Sequence, residues 1–407
     1  MTPKDKAVEV LNAYLKESSL SDCDIDLVPA TSVGENFAST IFRAKIKNAR
    51  VELSVIVKVA PDNKALRLIF PIRGLYEQEE FYYRCVLPEL ETLQKEHKIL
   101  NGFCSYPKYL KLQSDPYNEV FIFEDMKELG YSVLNRTKPI DYDHSVLVIR
   151  EYAKLHGAAY ALKKLKPNVF EQLAANARDK VFGSMVLTDL KKEQLKERSM
   201  IALKSLDPVK HKEAYDRFLK FSETMFYGVQ DAHKIESAGD YAVFTHGDNW
   251  ICNYLFKYQD GVPKKLCLID WQLAHCGSPA LDLSHFFFCC TDQEFRKKHY
   301  EELIQVYYKH LGLYLQQVGC DVERVLPFDV LKTHLAKFSV YGVYMSTIVL
   351  NVTLLQGDNL PSLQNATQES DILKLRNVKD SSDLELYNSR MRGIILDFIE
   401  YGYDLCA

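Results

Sequence analysis

Over its first third this chain sets short β-prone runs among two stretches of helical periodicity. Further on its hydrophobic positions recur about every 3.6 residues, the spacing of an amphipathic helix. The N-terminal stretch places Val8, Leu11 and Leu15 on one helical face. Residues 25–28 then predict a short strand, and 38–46 and 51–59 predict a β-hairpin turning at Lys47-Asn48-Ala49-Arg50. Residues 66–96 read as helical, interrupted near Pro71 and closing at Pro88, and 103–111 and 119–123 supply further strands. From Tyr142 onward Val146, Ile149, Tyr152, Ala153, His156 and Tyr160 form one helical stripe; further helices are expected over 193–233, 299–317, 328–354 and 384–401. The fold expected is α+β in two lobes. Residues 1–125 make a small antiparallel sheet carrying one helix, and residues 126–407 a large, mostly helical lobe. The polar segment 358–383, with Pro361, Ser362, Ser370, Ser381 and Ser382, is expected as a surface loop, with a lid as the alternative.

Composition narrows the class. The chain has 407 residues and 47% apolar content, enough to bury one large core or two smaller ones. With 51 basic and 55 acidic side chains and a net charge of −4, it offers no excess of positive charge to nucleic acid. The ten cysteines contain no C-x-x-C pair and no His-flanked zinc spacing, so they read as small buried apolar residues in a reducing compartment. A charged, amphipathic N-terminus is neither a signal peptide nor a transit sequence, and a cytoplasmic protein is expected. In that setting the sequons at Asn135, Asn351 and Asn365 carry no weight. Residues 338–357 have no charge and are long enough to cross a bilayer. Ser339, Ser346, Thr347, Asn351, Thr353 and Gln356 dilute their apolar content, so a helix buried in the large lobe is expected, with no membrane partner.

The densest chemistry lies in His246-Gly247-Asp248-Asn249-Trp250-Ile251-Cys252-Asn253, followed by Leu268-Ile269-Asp270-Trp271. Two β-prone runs, 254–258 and 265–269, flank Asp260-Gly261 and Pro263 and predict a hairpin with a somewhat long loop. Antiparallel pairing sets the start of the first strand beside the end of the second, so Asn253 and Asp270 are expected to meet at one tip. A carboxylate and an amide oxygen suit Mg²⁺, which keeps several waters and takes other ligands from phosphates. Asp248 is left to face an acceptor hydroxyl, which completes the set that phosphoryl transfer uses. A His-Gly-Asp turn that merely caps a strand is the plainer alternative.

His246-Gly247-Asp248 with Asn253, the segment 269–272 and Gly277-Ser278-Pro279 with Asp282-Leu283 resemble the ecdysteroid kinase-like (CHK) family. That family is similar to choline kinases and aminoglycoside phosphotransferases. The resemblance implies a two-lobed, protein-kinase-like fold, ATP and Mg²⁺ as cofactors, and an alcohol acceptor such as an ecdysteroid.

Other residues take roles on that basis. Val33-Gly34-Glu35-Asn36-Phe37-Ala38-Ser39-Thr40 enters the first hairpin strand where a phosphate-covering loop belongs. It is neither the glycine-rich loop of protein kinases nor a P-loop, and the motif is weak until matched to the family's Gly-Glu-Asn-Phe-Ala-Ser signature. Lys58 shares a strand face with Ser54 and Ile56, opposite Val55, Val57 and Val59; it reads as the cation for the α- and β-phosphates or as a snorkelling edge lysine. Glu77, Glu79 and Glu80 are candidates to hold it, and the family's spacing back from Leu87-Pro88 picks Glu79. By resemblance Glu124 and Met126 are hinge residues whose backbone meets the adenine edge. Asp282 braces the catalytic loop, with a helix N-cap as the rival reading, and His246 holds that loop by hydrogen bonding.

The acceptor is expected to be a small hydroxylated compound, ecdysteroid-like or xenobiotic, with no obligate protein partner. Phe286, Phe287, Phe288, Phe338, Tyr341 and Tyr344 would suit a hydrophobic acceptor, though on spacing alone they fit core better. A choline- or aminoglycoside-like acceptor would need an acidic cluster instead. A catalytically weak, pseudokinase-like binding protein is the rival from another class, and Lys58, Asp248, Asn253 and Asp270 stand against it. A protein kinase lacks support because no Ala-Pro-Glu segment is present. A metal-dependent hydrolase would need more ligands near Asp248.

Overall fold

The computed structural model describes residues 1–20, 22–30, 39–354 and 381–403. Five strands, β1 (Asp24–Pro29), β2 (Thr40–Lys47), β3 (Glu52–Val59), β4 (Tyr109–Asp115) and β5 (Asn118–Glu124), form an antiparallel sheet in the order β1-β2-β3-β5-β4. Alternation along β3 decides what each face does. Val55, Val57 and Val59 bury against Ala7, Val10, Leu11 and Leu15 of the helix Pro3–Glu17, together with Val120 and Ile122 of β5. Each buried valine, leucine or isoleucine contributes about 1.5–3 kcal/mol. A one-residue slip of β3 would put Lys58 among them, so the register is strongly set. Lys58 and Ile56 therefore face the other side, toward the large lobe.

Helix Ile72–Phe81 covers that inner face, where Tyr76 packs on Phe121 with ring centroids 4.9 Å apart. The helical run does not close at Pro88. A π turn over Tyr82–Val86 lets the Leu87 N–H donate to the Tyr82 carbonyl, and Pro88 then sits in the first turn of Leu87–Glu96, where its missing N–H costs nothing. The strand expected over 103–111 starts only at Tyr109. The Gln94 side chain takes both backbone groups of Phe103, accepting from its N–H at 2.5 Å and donating to its carbonyl at 2.9 Å, so that residue has no ladder to join.

In the large lobe, helix Tyr142–Leu165 starts at an Asp141 cap and lies along Gln293–Gln316, and every residue of Pro279–Cys290 is buried. Short strands sit at its top: β6 (Tyr131–Val133), β7 (Val243–Phe244), β8 (Tyr254–Gln259), β9 (Val262–Leu268) and β10 (Cys276–Gly277). They form a β6-β8-β9 sheet and a β7-β10 pair. The helix expected over 193–233 is two, Asp189–Leu203 and Lys212–Ala232. Asp207 accepts from the N–H groups of Val209 and Lys210, making a turn ahead of the second helix. The one expected over 328–354 is also two, Phe328–Phe338 and Val340–Thr353, bent by 46°. After the bend Gly342 passes the Pro279–Cys290 helix so closely that a Cβ there would lie 2.5 Å from the Ser284 carbonyl oxygen.

Among the described residues no single helix is long and apolar enough to cross a membrane; only that bent pair passes on length and composition. Ser346 and Thr347 of Val340–Thr353 donate to the carbonyls of Val343 and Tyr344 at 2.7 Å each, and the Tyr341 hydroxyl donates to the Gly247 carbonyl at 2.7 Å. The cysteines are not uniformly buried. Cys85 and Cys104 are exposed, because they fall on the outward side of a helix and in a surface loop. Most of 358–383 lies outside the described residues; its last three positions begin the helix Ser381–Glu400.

Candidate active site

The β8–β9 hairpin turns on two residues, Asp260 (φ 52°) and Gly261 (φ 74°), which is tighter than the sequence suggested. Two successive positive φ values match the right-handed strand twist, and β9 can start at Val262 with Pro263 paired to Tyr258 across a bulge. At the open end Tyr254 pairs with Leu268, and the Ile269 N–H donates to the Asn253 carbonyl at 3.1 Å. Asn253 and Asp270 thus reach the same tip. Asp270 leaves β9 in the left-handed region (φ 66°), a conformation aspartate tolerates better than most residues.

Behind this tip runs the loop 245–250. Gly247 has φ 81°, and a Cβ there would lie 2.1 Å from the Leu273 carbonyl oxygen, so only glycine fits. Asp282 gathers the loop: it accepts from the N–H groups of His246 and Gly247 at 2.9 Å each and from Asn249 Nδ2 at 2.6 Å, with His156 Nε2 at 3.0 Å. Burial alone would raise this carboxyl, but His156 and the two backbone donors outweigh it and hold it down at about 2. The cap of its helix is Ser278, so Asp282 is free for the loop. His246 Nε2 meets the Ile269 carbonyl at 3.0 Å, and its Nδ1 accepts from the Asp248 N–H at 3.3 Å. Burial depresses its basicity and favours the neutral ring that this pairing requires.

Lys58 crosses from the small lobe. Its ammonium lies 2.5 Å from Glu79 and 2.7 Å from Asp270. Burial works against the charge, yet the carboxylates of Asp270 and Glu79 overcome it and hold Lys58 well above its usual range. Burial raises Glu79 in turn; at 2.5 Å from a stabilised ammonium the charged pair is the state that the geometry favours. Glu77 and Glu80 turn outward to Arg73 and Arg84. Ser39 and Tyr76 share a hydroxyl hydrogen bond of 2.9 Å beside this cluster.

Asn253 Nδ2 donates to the Asp248 carbonyl and carboxylate at 2.9 and 3.0 Å, and among the described residues the Asn253 oxygen is uncommitted. Burial first, and the charge of Asp270 second, push Asp248 up to about 7. Lys58, Glu79, Asp248, Asn253 and Asp270 all line one cavity of about 800 Å³ between the lobes. Glu124 and Met126 border it at the crossover, where the Glu124 carboxylate accepts from the Lys108 N–H at 3.0 Å. Gly34, Glu35, Asn36, Phe37 and Ala38 lie outside the described residues.

Residues that sequence reasoning missed also line the cavity. Asp125 is held by Arg43 Nε at 2.5 Å and Ser54 Oγ at 2.8 Å, pinning the crossover to the sheet. Phe286, Phe287, Phe288, Phe338, Tyr341 and Tyr344 are core. The wall comes instead from further along Val340–Thr353, with Met345, Ile348, Val349 and Val352. Their spacing of i, i+3, i+4 and i+7 is a helical stripe, the one signal available, but an all-apolar helix shows several such stripes at once. Gln272, two residues beyond Asp270, borders Asp248 as well.

Residues 33–320 match the model of the ecdysteroid kinase-like family. No curated protein matches the chain. Among solved structures, wild-type aminoglycoside 2'-phosphotransferase-IIIa in its GDP complex aligns at 13% identity and a TM-score of 0.44, covering 91% of this chain and 96% of that one. An ethanolamine kinase of Plasmodium vivax aligns at 11% identity and a TM-score of 0.42, covering 95% of this chain and 87% of that one.

Proposed function

Because this chain belongs to the ecdysteroid kinase-like family, we propose that it is an ATP-dependent small-molecule kinase that phosphorylates an alcohol hydroxyl of a hydrophobic, ecdysteroid-like acceptor. One observation carries the reading. A buried lysine of the small lobe and an acid–amide–acid set of the large lobe line a single cavity large enough for a nucleotide and an acceptor. ATP and Mg²⁺, when bound, supply the phosphoryl group and neutralise its charge.

The donor set fits both. Lys58, kept charged by Glu79, orients the α- and β-phosphates. The Asn253 oxygen, whose amide nitrogen is already committed to Asp248, joins the Asp270 carboxylate as a hard-oxygen pair for Mg²⁺. Asp248 orients the acceptor hydroxyl and takes its proton; its raised basicity brings it nearer to neutrality than an ordinary aspartate. His246 and Asp282 hold the loop so that this carboxylate stays aimed. Glu124 and Met126 offer backbone groups to the adenine edge, and the segment of Gly34, Glu35, Asn36, Phe37, Ala38 and Ser39 covers the phosphates.

The uncharged stripe of Met345, Ile348, Val349 and Val352 supports a hydrophobic polyol over a cationic choline- or aminoglycoside-like acceptor, which an acidic wall would suit better. The test is incubation with Mg-ATP and a panel of ecdysteroids, other hydroxylated hydrophobic compounds and cationic alcohols, read by mass spectrometry. A hydrophobic acceptor that gains one phosphate, and fails to with Asp248→Asn, is the expected outcome. Nucleotide binding without transfer to any acceptor would instead favour a binding protein.

A further inference from the structure

Two histidines outside the cavity face each other with unused nitrogens. His233 ends the helix Lys212–Ala232, His275 precedes β10, and both are buried. Each is held by its Nδ1, His233 on the Val229 carbonyl at 2.8 Å and His275 on the Leu273 carbonyl at 3.0 Å. Carbonyls only accept, so each Nδ1 carries the proton and each Nε2 presents a lone pair. Among the described residues both Nε2 atoms are buried without a hydrogen-bond partner. The half-buried Asp179, from the loop after the helix Pro167–Asn176, completes a set whose ligand atoms lie within 4.8 Å of one another.

We propose that Asp179, His233 and His275 form a site for a divalent transition-metal ion, Zn²⁺ in the first instance, separate from the Mg²⁺ site of the cavity. A backbone carbonyl on Nδ1 is the support that metal-binding imidazoles use to fix tautomer and ring direction. The two rings have centroids 4.8 Å apart and are tilted by 26°. Two imidazoles sharing one tetrahedral ion at bonds of about 2.0–2.1 Å stand roughly 5 Å apart, so the rings already have the spacing. Ligand atoms of such an ion lie roughly 3.3 Å from each other, closer than the 4.8 Å within which they stand here, so binding draws them together. Aromatic neighbours keep His233 in place, Phe182 at 4.8 Å and Tyr341 at 4.5 Å between centroids. Beside His275 the chain has Gly277, where a Cβ would stand 3.1 Å from Nε2.

The site joins three segments behind the catalytic loop. The His275 carbonyl accepts from the Thr245 N–H at 2.9 Å, and the Ala177 carbonyl accepts from the Cys276 N–H at 2.7 Å. An ion there ties the loop of Asp179 and the end of a helix to the strand pair that carries residues 245–247. The role is structural.

The experiment uses the full-length protein, stripped with a chelator and titrated with Zn²⁺ in excess Mg²⁺, which fills the cavity site. Bound zinc is measured by mass spectrometry after gel filtration, and stability by thermal unfolding. One Zn²⁺ per chain with a rise in Tm is expected, and Co²⁺ in its place should show the visible bands of a tetrahedral complex. Asp179→Asn should weaken binding and His233→Gln should abolish it, whereas Asp270→Ala should leave the stoichiometry unchanged. Because Asp179 is half-buried, its variant keeps the test valid if His233→Gln does not fold. Absence of zinc binding in the unaltered protein, or binding undiminished by Asp179→Asn, overturns the site.

Discussion

Lys58 of β3 and Asp270 beyond β9 come from opposite lobes and stand 2.7 Å apart. In the proposed reaction these two charges serve phosphate and Mg²⁺. Nucleotide binding is then an exchange in which one ion pair gives way to two, and Glu79 keeps Lys58 charged throughout. Lys58→Met removes a charge-assisted contact of about 1.5–3 kcal/mol, so the Kd for Mg-ATP should rise roughly 10–100-fold by calorimetry. An unchanged Kd would remove Lys58 from the phosphate site.

Asp248→Asn keeps the shape and a partner for Asn253 but cannot take a proton. The expected result is a kcat lower by about 10²–10⁴-fold with the nucleotide Kd unchanged. Equal losses in binding and turnover would point to a structural role for this side chain.

Asp282→Ala would leave the N–H groups of His246 and Gly247, the Asn249 amide and His156 without their shared acceptor. Removing one member of such a buried charged cluster costs about 3–5 kcal/mol. Urea unfolding should show a loss of that size. A shift under 1 kcal/mol, by the same measure on the order of a surface change, would mean that the loop is held by other contacts.

The buried histidines should cost stability as pH drops below neutrality, against the opposite contribution of Asp248, whose raised carboxyl takes up its proton in the folded chain first. His285 is buried and depressed to about 3, and His334, depressed to about 4, is mostly buried; desolvation is the leading cause for both. Each stays neutral in the folded chain while the unfolded form takes up a proton below about 6.5. Their contribution is therefore complete above about 6.5 and declines as pH falls toward the folded values. Urea midpoints at pH 7.5 and 5.5 measure the slope, and His334→Asn should flatten it. A slope that the substitution leaves intact assigns the effect to other groups.

Shortening the apolar wall tests the acceptor. Ile348→Ala should raise the KM for a hydrophobic acceptor, with a loss of about 1–3 kcal/mol, roughly 10–200-fold, and leave the KM for ATP unchanged. A matching rise for ATP would place this helix at the nucleotide end of the cavity.

Several of these features can be read along the chain. Val55, Val57 and Val59 against Ile56 and Lys58 state both faces of β3, because a strand's period is short and local. The interval between Asn253 and Asp270 is legible for the same reason, since a hairpin is the nearest long-range contact a chain can make. Pro88 was misleading. Its effect depends on a π turn one step earlier, and no pattern of apolar residues announces that turn. The bend between Phe338 and Val340 was likewise hidden within a run that is apolar throughout.

What the amino-acid order determined by itself is the alternation of faces, the loop glycine at 247 and the acid–amide–acid spacing, all of which follow from bonds between near neighbours. Tertiary packing alone decided that Asp282 reaches across to the loop of Asp248, and that Met345, Ile348, Val349 and Val352 face the cavity while the phenylalanines do not. It also decided that Asp179, His233 and His275 converge. Those three residues lie in separate segments with no local spacing to mark them. Only the burial of the helices between them brings their ligand atoms together.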